Sequence, residues 1–462
     1  MTEATTDTIL ISDFIDNEYR DYSVHTITNR AIPLFIDGLK PVQRKTLYTA
    51  IKECATKEVK VSSLGGSLPK IGAYHHGSAS AEDAIVKMSQ DFNNNVCLLE
   101  GSGAFGSRPV PVAAAARYIT TKLSENFQLY FNDNEVLPMS LDKDDHPEPL
   151  CYLPIIPFSL VNGASGIAVG AATKFLPRNP RDIARACKEY IETGTIKSQL
   201  RPYVKGFKGK FKKEPEDGKY TITGLYSRIS NGSKLKITEI PLGETHESYK
   251  KHLDKLKTDS KIIVNSPDAI IDDTMSDFEF TIKLSKEGKL LTDDQIEKKF
   301  KLSSSFKENM TLIVFDDMCK IPDDNTKVSL KTYTSAKDII KDFVDFRMLF
   351  VDERISFNIQ RCNNEIDDLT NRIKFVESIV DGSFTIKNKT RKQMIDELTK
   401  IYNADYAEKF VNISIYSLSK DNIKRLKDKL AEFKKELKYW QTIDSKTLYV
   451  EYIDNLIQQI DS

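Results

Sequence analysis

The sequence predicts a multidomain α+β protein that ends in a long helical arm. Three observations lead there. Its 462 residues correspond to about three domains at roughly 150 residues each, and a hydrophobic content of 40% supplies apolar side chains for real cores. The middle of the chain alternates apolar and polar residues at period two. Two C-terminal segments repeat apolar residues at steps of three and four. Composition divides the chain into 1–190, rich in Gly, Ala and short loops; 191–335, rich in strands; and 336–462, mostly helical.

In the first region Asp37-Gly38-Leu39-Lys40-Pro41 is a turn into a helix, with Pro41 near the first helical position, where its missing N–H costs nothing. Val42, Leu47, Tyr48 and Ile51 then share one side, leaving Arg44 and Lys45 on the polar side. Such a face suits a DNA-reading helix and equally an ordinary solvated surface. In the second region Tyr220–Leu225, Lys234–Thr238 and Phe278–Ile282 alternate like half-buried strands, and a helical patch at 245–257 interrupts them. Ahead of these strands come Arg201, Lys205, Lys208, Lys210, Lys212 and Lys213, with no acid between them and with Tyr203, Phe207 and Phe211 interleaved. That is a footprint for a phosphate backbone, or a lysine-rich exposed ribbon. In the third region 336–380 is one long helix whose Cys362, Ile366, Leu369, Ile373, Val376 and Val380 follow a heptad. A second series, Ile423, Leu426, Leu430, Phe433, Leu437 and Trp440, has the same period. With the segment 381–418 between them, they make an antiparallel coiled-coil arm with a globular tip.

Charge and composition narrow the function. The 67 Lys+Arg balance 67 Asp+Glu, so net charge is zero, which excludes an indiscriminate polycation and leaves local clusters to decide any contact with nucleic acid. Met1–Leu10 carries Glu3 and Asp7 without a basic run, and no apolar stretch reaches membrane length, so a soluble, cytoplasmic protein without a membrane partner is expected. Cys54, Cys97, Cys151, Cys187, Cys319 and Cys362 lie far apart with no C-x-x-C pair, as reduced structural thiols would.

Five stretches could carry chemistry. Gly101-Ser102-Gly103-Ala104-Phe105-Gly106 spells G-x-G-x-x-G, but a dinucleotide site needs a helix opening at the glycines, and Pro109 and Pro111 follow instead. A close-packed loop fits better. The acidic run Asp142-Lys143-Asp144-Asp145, before His146, reads as a solvated loop, and Asp272-Asp273 and Asp316-Asp317 each follow an apolar run. No metal site is expected from them in this chain. Arg117-Tyr118 follows four alanines that would let another backbone come close. A phenol, with a free pKa of about 10, attacks phosphorus only when cations or a base help remove its proton, and Arg117 and His76 are the obvious helpers. With 19 tyrosines in the chain, chemistry alone does not single out Tyr118.

Order does single it out. Arg30-Ala31-Ile32-Pro33 with Asp37–Lys45, then Ala73-Tyr74-His75-His76-Gly77, the glycine loop, Ala115-Ala116-Arg117-Tyr118, and Tyr152–Pro157 followed by Val161–Gly170 together resemble the DNA cleavage and religation part of type IIA DNA topoisomerases. Within that family the chain is most similar to separately encoded cleavage subunits of bacteriophages, which would place it in host cytoplasm. The resemblance implies a winged-helix domain at 1–190, a tower domain at 191–335, and a coiled coil at 336–462 with a helical dimer-gate tip at about 381–418.

It also implies roles. Tyr118 would attack a DNA phosphorus and hold the 5′ end, while Arg117, His76 and Arg44 stabilise charge on the phosphate oxygens. Arg30, Lys40 and Lys45 would position the backbone, joined by the basic segment at Arg201, Lys205 and Lys208. Ile167 would wedge between base steps. Arg117 and Tyr118, being adjacent, cannot share a helix face, so helpers could act across a dimer. No P-loop, other ATP site or acidic metal-binding domain of the family's kind is recognisable. Mg2+ and ATP are therefore expected on partner subunits, with double-stranded DNA and a second copy as further partners. Relaxation or decatenation is expected rather than strong supercoiling, with weak DNA affinity for the isolated chain. A non-catalytic, dimeric DNA-binding architectural protein is the alternative. A tyrosine recombinase would carry its nucleophile near the C-terminus.

Overall fold

The computed structural model describes residues 10–141, 147–265, 277–386, 389–414 and 417–461. The acidic run 142–145 with His146, and Asp272-Asp273, lie outside them. The chain divides into two compact units. One runs through Arg347 and takes up the chain again from Val450; the other is Met348–Tyr449. The position expected to end the first domain, 190, falls inside the first unit.

The first unit begins with a helical run at 11–31, α-helical over Ile11–Phe14 and Arg20–Thr26 and π-helical between and after them. After the Asp37–Lys40 turn, α1 (Pro41–Glu53) starts with Pro41 at its first turn and with the Lys40 N–H bonded to Gln43 Oε1 at 2.9 Å. Its buried face is Thr46, Leu47, Thr49 and Ala50, whereas Val42, Tyr48 and Ile51 are only partly covered. Periodicity of apolar residues misplaces that face because the two threonines go inside. Their hydroxyls bond the Val42 and Lys45 carbonyls of their own helix at 2.7 and 2.9 Å, so burial leaves no donor unmet.

Next come β1 (Val59–Lys60), α2 (Val61–Ile71), α3 (Ser78–Ser89), β2 (Leu99–Ser102) and β3 (Thr120–Leu123). The three strands form an antiparallel sheet in the order β1-β3-β2, so the connection from β2 to β3 is a long loop across residues 103–119. Further on, a hairpin pairs Ala164–Ile167 with Ala172–Phe175. Gly166 in that hairpin sits where a Cβ would lie 1.9 Å from the Ala31 carbonyl oxygen, so only glycine lets the hairpin press against the end of the N-terminal helical run.

Beside the two-stranded pair of Met310–Phe315 with Val328–Tyr333, the described residues of the β-rich part of the same unit form two larger sheets. Lys219–Thr223 lies between Lys210–Lys213 and Ser303–Lys307 in one, and Leu225–Ile229, Lys234–Glu239, Phe280–Leu284 and Ile263–Asn265 make the other, all antiparallel. The helix expected at 245–257 is His246–Ser260. Leu235, Ile237, Phe280 and Ile282 alternate inward against Tyr249, Leu253 and Phe300. Two buried ion pairs cross the unit. Arg178, with its guanidinium on Glu308 at 2.8 Å and on the Leu176 and Leu200 carbonyls, has a side chain 2% exposed. Arg347 joins Asp133 and Asn132 and bonds the Pro154 carbonyl at 3.1 Å. Charges this deep persist only when paired and hydrogen-bonded, as these are.

The helix Ala336–Val380 spans 45 residues and returns through Lys420–Thr442. In the second unit Leu369 and Ile373 pack on Leu426, Leu430 and Phe433, and ion pairs Arg361–Glu436 and Glu377–Lys427 give the same antiparallel register. Between these helices, Arg391–Ile401 and Ala404–Val411 gather on a separate core, with Phe375 stacked on Phe410 at 4.6 Å. Among the described residues no helix is long and apolar enough to cross a membrane. The six cysteines are free thiols, and Cys319 is exposed rather than structural.

Candidate nucleic-acid interface

The first unit contains a groove of about 1250 Å³. Its walls bring together Arg30 from the end of the N-terminal run, Lys40 and Lys45 from the start of α1, and His75 and His76 from the turn before α3. These positions are far apart in sequence, and four of them are candidates read from it. Arg30 Nη2 lies 3.5 Å from His76 Nδ1, and the Tyr74 ring meets the His76 ring edge-on at 5.2 Å. Lys40 Nζ donates to the Ser165 carbonyl at 2.8 Å, which ties the groove floor to the hairpin bearing Ile167. Lys45 is paired with Glu148.

The cations are unevenly matched. Partial burial and the nearby Lys87 charge hold Lys40 below the usual lysine range. His76 is likewise lowered, first by desolvation and then by Arg30, His25 and His75. Mutual repulsion of this kind is relieved by an anion. Gly77 caps the start of α3 and lines the same groove, so the positive end of a twelve-residue helix adds to the field.

Arg44 faces inward rather than to the solvated side of α1. Expected on the polar side of α1 and on phosphate, it instead turns back, with Nε on Asp37 Oδ2 at 2.8 Å and Nη2 on Asp37 Oδ1 at 3.1 Å and on the Leu39 carbonyl. Asp37 is fully buried and also accepts the Leu39 and Tyr152 N–H groups, so the pair sets the turn that presents Lys40. A local period cannot foresee this partner, because the carboxylate lies in the preceding turn rather than on the helix.

Arg117 and Tyr118 are carried at the foot of the loop that joins β2 to β3. The Tyr118 N–H bonds the Ala115 carbonyl at 2.8 Å, and the Ser62 N–H bonds the Ala116 carbonyl at 3.2 Å. Tyr118 is 72% exposed, with the Arg117 guanidinium 4.9 Å from its ring centroid. Neither lines the groove that holds His76 and Arg30. The glycine loop is a close-packed turn: Gly103 and Gly106 have φ of +108° and +84°, and a Cβ on Gly101 would fall 2.6 Å from the Phe105 ring. Gln90 Nε2 donates to the Phe105 carbonyl at 2.8 Å and pins the loop.

Ile167, at the tip of its hairpin, is 87% exposed. In the basic segment Arg201, Lys205 and Lys208 are exposed, Lys208 meeting Asp277 at 2.7 Å and Arg201 bonding Gln199. Phe207 and Phe211 turn inward against Tyr220 and Ile222, so of the interleaved aromatics only Tyr203 is on the surface. Asp316 and Asp317 do not build a site: Asp317 bonds the Cys319 N–H and pairs with Lys320. Among the described residues no three His, Cys, Asp or Glu side chains converge as metal ligands. Sequence reasoning passed over His25, Ser80 and Lys87, which also line the groove; the four-residue spacing of Asp83 and Lys87 on α3 was the available signal.

Comparison with known proteins shows the family. Residues 30–458 match the family formed by the A subunits of DNA gyrase and topoisomerase IV. The chain belongs to that family. It is 34% identical to the DNA topoisomerase medium subunit of Enterobacteria phage T4, covering 96% of this chain and 98% of that one. It is 32% identical to the mitochondrial DNA topoisomerase 2 of Dictyostelium discoideum, over 98% of this chain but 35% of that longer protein. The crystal structure of the Plasmodium falciparum topoisomerase II DNA-binding, cleavage and re-ligation domain superposes with a TM-score of 0.85 at 31% identity, over 97% of this chain and 64% of that one. The Plasmodium falciparum domain thus shares the fold of this chain.

Proposed function

We infer that this chain is the DNA cleavage and religation subunit of a type II DNA topoisomerase. The observation that carries the reading is the groove, where Arg30, Lys40, Lys45 and His76 converge from separate elements beside an exposed Ile167, in a chain matched along nearly its whole length by a topoisomerase subunit. Tyr118 is the nucleophile. Its oxygen attacks a backbone phosphorus, the P–O3′ bond breaks, the departing 3′ oxygen takes a proton, and the 5′ end stays on the enzyme as a phosphotyrosyl ester. Religation runs the same exchange backwards, so no bond energy is lost. Arg117, next to the phenol, and His76, through its groove, stabilise the charge on the phosphate oxygens. Because Tyr118 stands outside its own chain's groove, the exposed phenol serves the groove of a second copy, and dimerisation at the 381–418 tip supplies that copy.

The three helices and the antiparallel sheet β1-β3-β2 support a winged-helix reading of the first region, with the 103–119 loop as a wing. The 191–335 sheets serve as a tower, where Arg201, Lys205 and Lys208 follow the DNA backbone. Ile167 wedges a base step and bends the duplex. Mg2+ and ATP belong to partner subunits, and the complex relaxes or decatenates DNA in host cytoplasm.

Denaturant trapping of protein linked to DNA 5′ ends tests the reading, using the chain reconstituted with its partner subunits. Wild type should yield a covalent complex and Tyr118→Phe none. A covalent complex of equal yield in Tyr118→Phe would remove Tyr118 from the chemistry. No complex in either protein would favour the architectural alternative.

A further inference from the structure

Besides the Gln90 pin, the loop that bears Tyr118 is held at its foot and at its far part. Its foot is held by hydrogen bonds from Val61 and Ser62 to the Ile119 and Ala116 carbonyls. Its far part is held by Arg108, which reaches across to the four-stranded sheet. There the guanidinium grips Glu239 with both terminal nitrogens, Nη1 at 2.9 Å from Oε2 and Nη2 on Oε1, and bonds the Ile240 carbonyl at 3.0 Å. It lies 4.8 Å from the Phe278 ring centroid and 5.2 Å from that of Phe207. Next in the chain, the Pro109 carbonyl accepts the His246 N–H at 3.0 Å.

The carboxylate is shared. Glu239, with a side chain 3% exposed, also accepts its neighbour Ile240 N–H and the Lys208 N–H, each at 2.9 Å. One buried acid therefore joins the nucleophile's loop to the basic segment that offers Lys205, Lys208 and Lys210 to solvent. Two-point, charge-assisted geometry of this kind fixes direction as well as distance.

We propose that Arg108 is a positioning residue for Tyr118: clamped on Glu239, it sets the nucleophile loop against the four-stranded sheet and couples it to the 201–213 segment. Arg108 does not touch the phosphate. Phosphate engagement along 201–213 moves or steadies the Lys208 backbone, Glu239 passes that to Arg108, and the loop presents Tyr118 only when the duplex lies along that segment. The proposal rests on Tyr118 being the nucleophile.

The test uses the reconstituted complex and compares wild type with Arg108→Lys, Arg108→Gln, Glu239→Gln and the Arg108→Gln/Glu239→Gln pair. Covalent complex at saturating DNA, DNA affinity and melting temperature are read for each. A displaced nucleophile lowers the covalent fraction by about tenfold or more, since misplacement by an ångström is worth up to two orders of magnitude, while affinity changes less than about twofold. The double variant should be no worse than Arg108→Gln, because the two residues act as one unit, and Arg108→Lys should fall between, keeping charge but losing the fork. An unchanged covalent fraction in Arg108→Gln overturns the clamp, as does a loss that only follows DNA affinity or the folded fraction, or losses that multiply in the double variant. A wild-type complex that persists in Tyr118→Phe would instead sink the nucleophile reading and this proposal with it.

Discussion

Replacing Asp37 with alanine separates two accounts of Arg44. The carboxylate is fully buried and takes four hydrogen bonds, from Arg44 Nε and Nη2 and from the Leu39 and Tyr152 N–H groups, while the Arg44 side chain is 13% exposed. Removing one partner of a buried pair costs about 3–5 kcal/mol, and each orphaned N–H about 1–3 kcal/mol. These losses share one vacancy and overlap, so about 4 kcal/mol is expected for Asp37→Ala. At a urea slope of about 3 kcal/mol per M, the first unfolding midpoint should drop by about 1.3 M. Arg44→Gln keeps a donor near the carboxylate and leaves Asp37 its two backbone bonds, so it should lose roughly half as much. The assay is urea unfolding of the purified chain, followed by circular dichroism, alongside DNA cleavage by the reconstituted complex. If both variants unfold within about 0.2 M of wild type and yet lose cleavage, Arg44 acts on the phosphate and the structural role assigned to it is wrong.

Three further outcomes are expected. Ile167→Ala should leave the melting temperature unchanged, because the side chain is 87% exposed, yet reduce DNA bending measured by end-to-end energy transfer; equal bending would remove the wedge. Lys40→Ala should lower the slope of log affinity against log salt by about 0.9, the contribution of one phosphate contact, and an unchanged slope would take Lys40 off the backbone. His246 is 1% exposed, stacks on Phe280 at 4.7 Å and has no hydrogen-bond partner at either ring nitrogen among the described residues, and burial followed by the Lys250 charge lowers its pKa. Its contribution to stability is complete above about pH 6.5 and is lost as pH falls toward the lowered value, by up to about 1.4 kcal/mol per pH unit, because only the unfolded chain takes the proton readily. His246→Phe should flatten stability between pH 6.5 and 5, and an identical slope in both proteins would show that other groups carry it.

Much of this protein was legible in its sequence, but unevenly. The alternation in Lys234–Glu239 and Phe280–Leu284 and the heptads facing each other at Leu369, Ile373 and Leu426 record which side of an element is apolar, and burial follows that record. The same rule failed on α1, where self-bonded threonines went inside, and in 201–213, where two phenylalanines expected beside the lysines serve a core instead.

By itself the sequence determined the order of the motifs and the family they mark. Those are properties of neighbours along the chain. Only the tertiary structure decided which cation meets which anion. It gathered Arg30, Lys40, Lys45 and His76 around one groove, withdrew Arg44 onto Asp37, left Tyr118 exposed apart from that groove, and spent Arg108 on Glu239, 131 positions away. Long-range pairing depends on distance and desolvation after the chain has folded. No spacing in the sequence records either.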